Sequence, residues 1–261
     1  MKPILLQWGP ITLYSYGLLM AMGFLAASWQ AARAARRWPG APPVPEDRVV
    51  NLTSAVLLAG VLGARALFVL THADAFHDQP LEIFAIWHGG LIWYGGLLGG
   101  LVGVLVYARR RRLSPLAVLD QFAPAAALGH AIGRIGCFFN GCCYGVPTTA
   151  WWGVRFPGHD EPVVPTQLVE SAGLLLLFLG LRQLQRASVL RRPGTVFMVY
   201  LLAYAVLRFV IEFWRGDQPH LFTRWTPAQF ISMGLGIAAG IWLASGSQRN
   251  GAHLPSHRGA H

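Results

Sequence analysis

Seven long apolar stretches constrain this chain more than any other feature of its sequence. Each is close to the roughly 20 residues that an α-helix needs to cross a bilayer, and they cover residues 12–31, 49–71, 86–108, 116–138, 167–185, 194–214 and 227–245. Charged residues make up only 12% of the chain, about half their usual share of roughly 25% in soluble domains. The sequence therefore predicts an all-α membrane protein, a bundle of about seven transmembrane helices.

The positive charges indicate how this bundle is oriented. They cluster after spans one, three and five and in the C-terminal tail, whereas the alternate loops hold only Lys2, Arg155, Arg215 and Arg224. Lysine and arginine favour the cytoplasmic side of a membrane. The prediction is an N-terminus outside and a C-terminus in the cytoplasm. This placement also explains the net charge of +10 without a nucleic-acid partner.

Two segments are expected, a seven-span domain over residues 1–245 and a tail over residues 246–261. The tail is polar and carries His253, His257 and His261. Such a composition favours disorder, and a solvated tail is a more common role for these histidines than metal binding. The first apolar stretch exceeds the roughly 7–15 residues of a signal-peptide core and is followed by arginines, which is typical of an uncleaved anchor.

Ionisable residues inside the spans are the candidates for function, because a charge in a bilayer is costly. Arg134 ends span four within the segment HAIGRIGCFFNGCCYG (residues 130–145), and Arg208 and Glu212 share one face of span six. Tyr200 and Tyr204 belong to the same stripe of span six. The predicted orientation puts the other polar residues in the outer half of the membrane: Tyr14, Tyr16, Arg65, Tyr94, Arg134, Glu170, Arg208 and Glu212.

Three of these residues are arginines, and only two are carboxylates. The planar guanidinium binds phosphate or carboxylate through two parallel hydrogen bonds, so the surplus predicts an anionic ligand. An anion reached from the outer leaflet indicates a phospholipid head group. The alternative is that the charges are pairs that hold the helices together, and it applies most to Arg65 with Glu170 or Glu212.

The cysteines and histidines give weaker signals. Cys137, Cys142 and Cys143 form C-x4-C-C, which matches no standard zinc spacing. A disulfide between Cys137 and Cys142 suits an oxidising compartment, and an apolar filling role for Cys137 is equally compatible. His88 and His130 are possible proton carriers, although a single histidine in an apolar helix is more often a packed, hydrogen-bonded group.

The segment GRIGCFFNGCCYG resembles the signature of bacterial prolipoprotein diacylglyceryl transferases, G-R-[IL]-G-N-F-x-N-G-E-x-x-G. Four further segments resemble blocks of that family in the same order: YGLLMAMGF, GGLIWYGGLLGG, PTQLVES and AYAVLRFVIEFWR. The resemblance implies transfer of the sn-1,2-diacylglyceryl group of phosphatidylglycerol to the lipobox cysteine of prolipoproteins. A thioether forms and glycerol 1-phosphate leaves, in the first step of lipoprotein maturation.

The same resemblance implies a multi-pass protein of the bacterial cytoplasmic (inner) membrane that needs no metal or cofactor. Its partners are phosphatidylglycerol, prolipoprotein signal peptides with a lipobox cysteine, and membrane lipid. It assigns catalytic positions to Arg134, Arg208 and Tyr94. It assigns substrate binding to Arg134 and Arg208 together with Tyr16, Asn140, Gly145, Tyr204 and Glu212.

Three positions depart from the family pattern. Tyr94 stands where the family typically has a histidine, and a tyrosine with a reference pKa near 10 is a poor base, although nearby arginines would favour a thiolate. Cys137 and Cys142 replace an asparagine and a glutamate. These departures indicate either a subgroup with the same activity or a paralogue, such as a thiol-redox or other lipid-modifying enzyme that uses the cysteines. A channel or transporter with an arginine-lined anion path is a further alternative.

Overall fold

The computed structural model describes residues 4–8, 11–38, 42–77, 79–158, 160–187, 192–216 and 225–251. Within these residues the chain forms seven α-helices: α1 Ser15–Arg36, α2 Glu46–Thr71, α3 Trp93–Arg110, α4 Pro115–Asn140, α5 Thr166–Arg186, α6 Thr195–Glu212 and α7 Pro227–Gly251. Each helix overlaps one predicted span, so the prediction of a mostly helical protein is confirmed, although one two-stranded sheet accompanies the helices.

Five of the seven helices, α2 and α4–α7, are long and apolar enough to cross a membrane. Among the described residues α1 and α3 do not reach the same standard. The protein is thus a multi-pass membrane protein with five candidate spans, and the full count of seven and the orientation of the termini stay predictions. The predicted tail covers residues 246–261. The described part of the chain ends with α7 at Gly251, so most of the tail, including all three of its histidines, lies outside the described residues.

The predicted starts of spans one and three were wrong. Ile11–Tyr14 forms a strand, β2, that pairs antiparallel with β1 (Ile4–Trp8), because isoleucine, threonine and tyrosine suit extended backbone as well as an apolar helix. The predicted third span begins at residue 86, but the helix begins at Trp93. Gly89 and Gly90 have φ angles of 87° and 71°, which a right-handed helix does not allow.

The helices belong to two compact units, one of Ala31–Gln121 and the other of Met1–Gln30 with Phe122–His261. In the first of these, α2 packs on α3 through small residues. A Cβ atom on Gly99 would overlap the carbonyl oxygen of Ala59, and one on Gly63 would overlap that of Gly95. Small residues of this kind let membrane helices approach closely.

The second unit has its apolar core where α4, α5 and α6 meet. The buried members of this core are Ala123, Ala127, Phe178, Leu181 and Val196. A hydrogen bond from Ser171 Oγ to the carbonyl oxygen of Ala131, at 2.9 Å, joins α5 to α4. These contacts fix the register of three helices that each carry a charged residue toward the same place.

Candidate active site

Glu170 is the centre of a polar cluster in the second unit. Its side chain lies in the second turn of α5 and is only 1% exposed. Oε1 accepts a hydrogen bond from the Tyr204 hydroxyl at 3.1 Å and lies 3.0 Å from Arg134 Nη2, and Oε2 accepts one from Arg208 Nη1 at 3.4 Å. One carboxylate therefore gathers side chains from α4 and α6.

A second buried carboxylate, Glu212, extends this cluster toward α7. Arg208 Nη2 lies 2.6 Å from Glu212 Oε2, one helical turn away on α6. The Thr226 hydroxyl donates to Glu212 Oε1 at 2.7 Å, and the backbone N–H of Thr226 donates to Gln229 Oε1 at 3.0 Å. Arg208 is thus held between two carboxylates, and its guanidinium has little freedom to turn.

Charge in this cluster is balanced rather than in surplus. Arg134 and Arg208 face Glu170 and Glu212, so two positive charges meet two negative ones. The predicted excess of arginine over carboxylate therefore does not apply to this cluster. Buried pairs of this kind are strongly destabilised when one partner is lost, which ties the fold to the same four side chains.

Among the described residues, Arg65 pairs with neither Glu170 nor Glu212, so the alternative that it forms a charge pair with one of them was wrong. In the other unit its Nε donates to the carbonyl of Ile83 at 2.8 Å and its Nη1 to that of Gly89 at 2.7 Å. Nη1 also donates to Gly90 and Nη2 to Glu82, again through backbone carbonyls. Arg65 thus holds the irregular segment between α2 and α3 in place.

The Nε–H of Arg134 is a buried donor without a hydrogen-bond partner among the residues that the structure describes. A buried N–H group without an acceptor costs about 1–3 kcal/mol, which an oxygen of a bound molecule would recover. The side chains of Arg134 and Arg208 are each 13% exposed, so neither is completely enclosed.

His130 lies against this cluster, one helical turn before Arg134 on α4. Its Nε2 is 3.8 Å from Glu170 Oε1, and its ring packs edge-to-face on Tyr204 with centroids 5.1 Å apart. The sequence favoured a merely packed histidine here, although its four-residue spacing from Arg134 placed both on one helix face. Glu170 was among the polar candidates of the spans, but the resemblance assigned it no catalytic or binding role.

Three other predicted site residues lie around the end of α4. Tyr16 packs against Gly136, since a Cβ on that glycine would lie 3.4 Å from Tyr16 Cδ2, and Asn140 is the exposed last residue of α4. Gly145 N–H donates to the Val164 carbonyl at 2.8 Å. A Cβ on Gly145 would lie 2.7 Å from Val164 Cβ, so only glycine fits there.

Tyr94, the third predicted catalytic residue, belongs to the other unit. It is the second residue of α3, is about half exposed, and packs edge-to-face on Trp93 with centroids 5.3 Å apart. Its catalytic assignment stays a prediction.

The three cysteines come together as one cluster that their spacing did not predict. Their Sγ atoms all lie within 4.8 Å of one another, and no disulfide joins them. Hydrogen bonds shared with the thiols of Cys137 and Cys142 hold the pKa of the Cys143 thiol below its usual range, and Arg215 and Arg134 act in the same direction.

Comparison with known proteins gives a consistent picture. A family model described as prolipoprotein diacylglyceryl transferase matches residues 3–245. A Clostridium tetani protein is 32% identical over 93% of this chain and 96% of its own length. A Nitratidesulfovibrio vulgaris protein is 36% identical over 92% of this chain and 92% of its own length. A Methylocella silvestris protein is 35% identical over 96% of this chain and 95% of its own length. All three are named phosphatidylglycerol–prolipoprotein diacylglyceryl transferase.

Proposed function

The chain belongs to the prolipoprotein diacylglyceryl transferase family, and we propose that it transfers the sn-1,2-diacylglyceryl group of phosphatidylglycerol to the lipobox cysteine of prolipoproteins. It is a multi-pass membrane enzyme, which the proposal puts in the bacterial cytoplasmic membrane with its N-terminus outside. The names of the relatives give no support to a thiol-redox enzyme, and neither do they support a channel or transporter.

The observation that carries this proposal is the free donor of Arg134 beside Arg208. In the reaction the substrate sulfur attacks the glycerol carbon next to the phosphate, a C–S bond forms, and the C–O bond breaks. The leaving glycerol phosphate takes the electron pair and gains a second negative charge. Arg134 Nε is a group that would meet this charge, because it has no described partner, whereas Nη2 of the same guanidinium is already held by Glu170.

The balanced charge of the cluster suits this role. Glu170 and Glu212 fix the arginines before a substrate arrives, and donors that are already oriented need no reorganisation when charge develops. Tyr16, Asn140 and Gly145 lie toward the end of α4 in the same unit, and we propose that they line the path of the lipid head group. Tyr204 and Glu212 act as positioning residues through Glu170 and Arg208.

The test of the proposed function uses the purified chain in vesicles that contain phosphatidylglycerol. A lipobox peptide should gain the mass of one diacylglyceryl group, and a peptide with serine in place of the cysteine should not. In cells, the chain should support growth of a strain depleted of its own diacylglyceryl transferase. A chain that inserts well yet modifies neither the peptide nor a reporter lipoprotein would count against the proposal.

Replacing Arg134 by lysine should separate its charge from its free donor. Lysine keeps a positive charge next to Glu170 but lacks the planar fork, so we expect transfer to fall about 10²–10³-fold, as for the loss of one transition-state donor. The melting temperature should change little. The matched control is Arg186→Lys, at the exposed end of α5, which should keep full activity. An Arg134→Lys enzyme as fast as the parent would remove Nε from the mechanism.

The thiol proton has two candidate acceptors, Tyr94 and His130. We expect His130 to accept it, because its ring lies against the Glu170 cluster, one helical turn before Arg134, and histidine is the side chain that most often serves as a general base. An imidazolium would also add one positive charge beside the leaving phosphate. His130→Gln should lower kcat about 10²–10⁴-fold. Tyr94→Phe is the comparison, and the reverse result would assign the role to Tyr94.

A further inference from the structure

The three-cysteine cluster has no task in the proposed transfer. The nucleophile is the cysteine of the substrate, and the donors to the phosphate are arginines. The chain has only 3 cysteines, yet all of them lie in this one place, with Sγ atoms within 4.8 Å of one another. From this geometry we propose that Cys137, Cys142 and Cys143 form a three-thiolate site for a thiophilic metal ion, Cu(I).

The backbone forms this cluster through a specific turn. Helix α4 ends at Asn140, and Gly141 and Cys143 then take φ angles of 75° and 64°. The turn brings the N–H of Cys142 to 3.2 Å from the carbonyl oxygen of Cys137. Left-handed backbone is uncommon for a residue other than glycine, so Cys143 keeps it only because its surroundings hold it there.

Those surroundings are two buried side chains at the start of α5. The Thr166 hydroxyl donates to the carbonyl of Cys143 at 2.8 Å, and Gln167 Nε2 donates to that of Cys142 at 2.6 Å. Both residues are almost fully buried. The turn that presents the thiols is therefore fixed from outside the cluster, as outer-shell hydrogen bonds fix the ligands of known metal sites.

The distances and the number of donors favour a trigonal site. Metal–sulfur bonds of about 2.3 Å, the length found in zinc–thiolate sites, place three sulfurs around one ion about 4 Å apart. Small side-chain rotations would bring the present separations to that value. Thiolate ligands select soft ions such as Cu(I) and zinc. Protein zinc is almost always four-coordinate in structural sites, whereas the described residues offer three ligands here, which is the reason to favour Cu(I).

Binding is a simple exchange of protons for the metal. The ion displaces the protons of the three thiols to solvent and forms three metal–sulfur bonds, with no change of oxidation state. The site lies beside the proposed transfer site, since Cys137 follows Arg134 by three residues on α4. It needs none of the substrates of that reaction, so a test of metal binding stands apart from a test of transfer.

The experiment titrates the purified full chain with Cu(I) and ascorbate, in competition with a chromophoric Cu(I) chelator. We expect one tightly held ion per chain and three sulfur neighbours in X-ray absorption. Cys143→Ser should weaken binding at least about 100-fold, the upper range for loss of an outer-shell partner alone. The variant with serine at all three positions should lose the tight Cu(I) site and keep most transfer activity. Any Cu(I) that this variant still binds measures the contribution of the tail histidines.

Several results would overturn the proposal. Tight Cu(I) binding that survives in the triple serine variant would show that the ion binds at another place in the chain. Two sulfur neighbours instead of three would show that one of the cysteines is not a ligand. Zn²⁺ that displaces bound Cu(I) would refute the choice of ion. Fewer than three thiols open to alkylation in the unfolded, metal-stripped chain, before any reductant is added, would indicate a disulfide in place of the metal site. If the triple variant does not fold, Cys143→Ser and Cys142→Ser give the same comparison.

Discussion

Replacing Arg208 by alanine should reduce diacylglyceryl transfer to background. An arginine that stabilises a developing phosphate charge is worth about 10³–10⁵-fold in rate in phosphoryl transfer, and Arg208 lies beside the free donor of Arg134. Lysine at this position should restore little, because one ammonium cannot contact Glu170 and Glu212 as the two guanidinium nitrogens do. The measurement is the mass of a lipobox peptide incubated with enzyme in phosphatidylglycerol vesicles.

The alanine variant has a structural effect that must be separated from the catalytic one. Without Arg208, the described partner of Glu212 is the Thr226 hydroxyl, and a buried charge that loses its ion-pair partner destabilises a protein by about 3–5 kcal/mol. Arg208→Ala combined with Glu212→Gln removes that charge and should melt close to the parent while staying inactive. Glu212→Gln alone is the control, and transfer at the parent rate by the double variant would exclude Arg208 from the chemistry.

The helices of this protein are predictable because the bilayer sets their length. All seven apolar stretches became helices, but the composition of a stretch does not distinguish the strand at Ile11–Tyr14 from the start of α1. The break before α3 depends on the left-handed angles of Gly89 and Gly90. Glycine also occurs inside the close-packed helices α2 and α3, so its presence in the sequence does not mark the break. The exact starts of these helices therefore follow from the backbone angles and not from the composition of the sequence.

In the candidate site, the sequence predicted which residues are polar but not which residues they contact. Sequence identified Arg134 at the end of span four and Tyr204, Arg208 and Glu212 on one face of span six, and the structure brings all four together. It could not show that they meet at Glu170, because the contact depends on the rotation of three helices.

Arg65 illustrates the opposite case. Its partners are backbone carbonyls, and no sequence pattern identifies such partners. A charged residue at the expected depth therefore stabilises a loop instead of forming part of the site. The cysteines were underestimated for a similar reason, since a turn with two left-handed residues brought their thiols together.

Replacing Glu170 by alanine should have the largest effect of any single change, because it removes the shared acceptor of Arg134, Arg208 and Tyr204. Two arginines would then face one carboxylate in a buried cluster. We expect a loss of about 3–5 kcal/mol in stability, which is a large share of the roughly 5–15 kcal/mol that a folded protein has. The detergent-solubilised variant should melt far below the parent and show no transfer. Glu161→Gln, an exposed carboxylate of the same unit, is the control.

A charge-balanced double variant decides whether the Glu170–Arg134 pair serves the fold alone or also the chemistry. Glu170→Gln with Arg134→Met removes one charge of each sign, and replacing a buried ion pair by uncharged groups is often neutral for stability. This variant should recover most of the melting temperature that Glu170→Ala loses. It should remain inactive, because it lacks the donor that Glu170 holds toward the phosphate. A stable double variant with parental transfer would show that the Glu170–Arg134 pair is a structural link between α4 and α5 and nothing more.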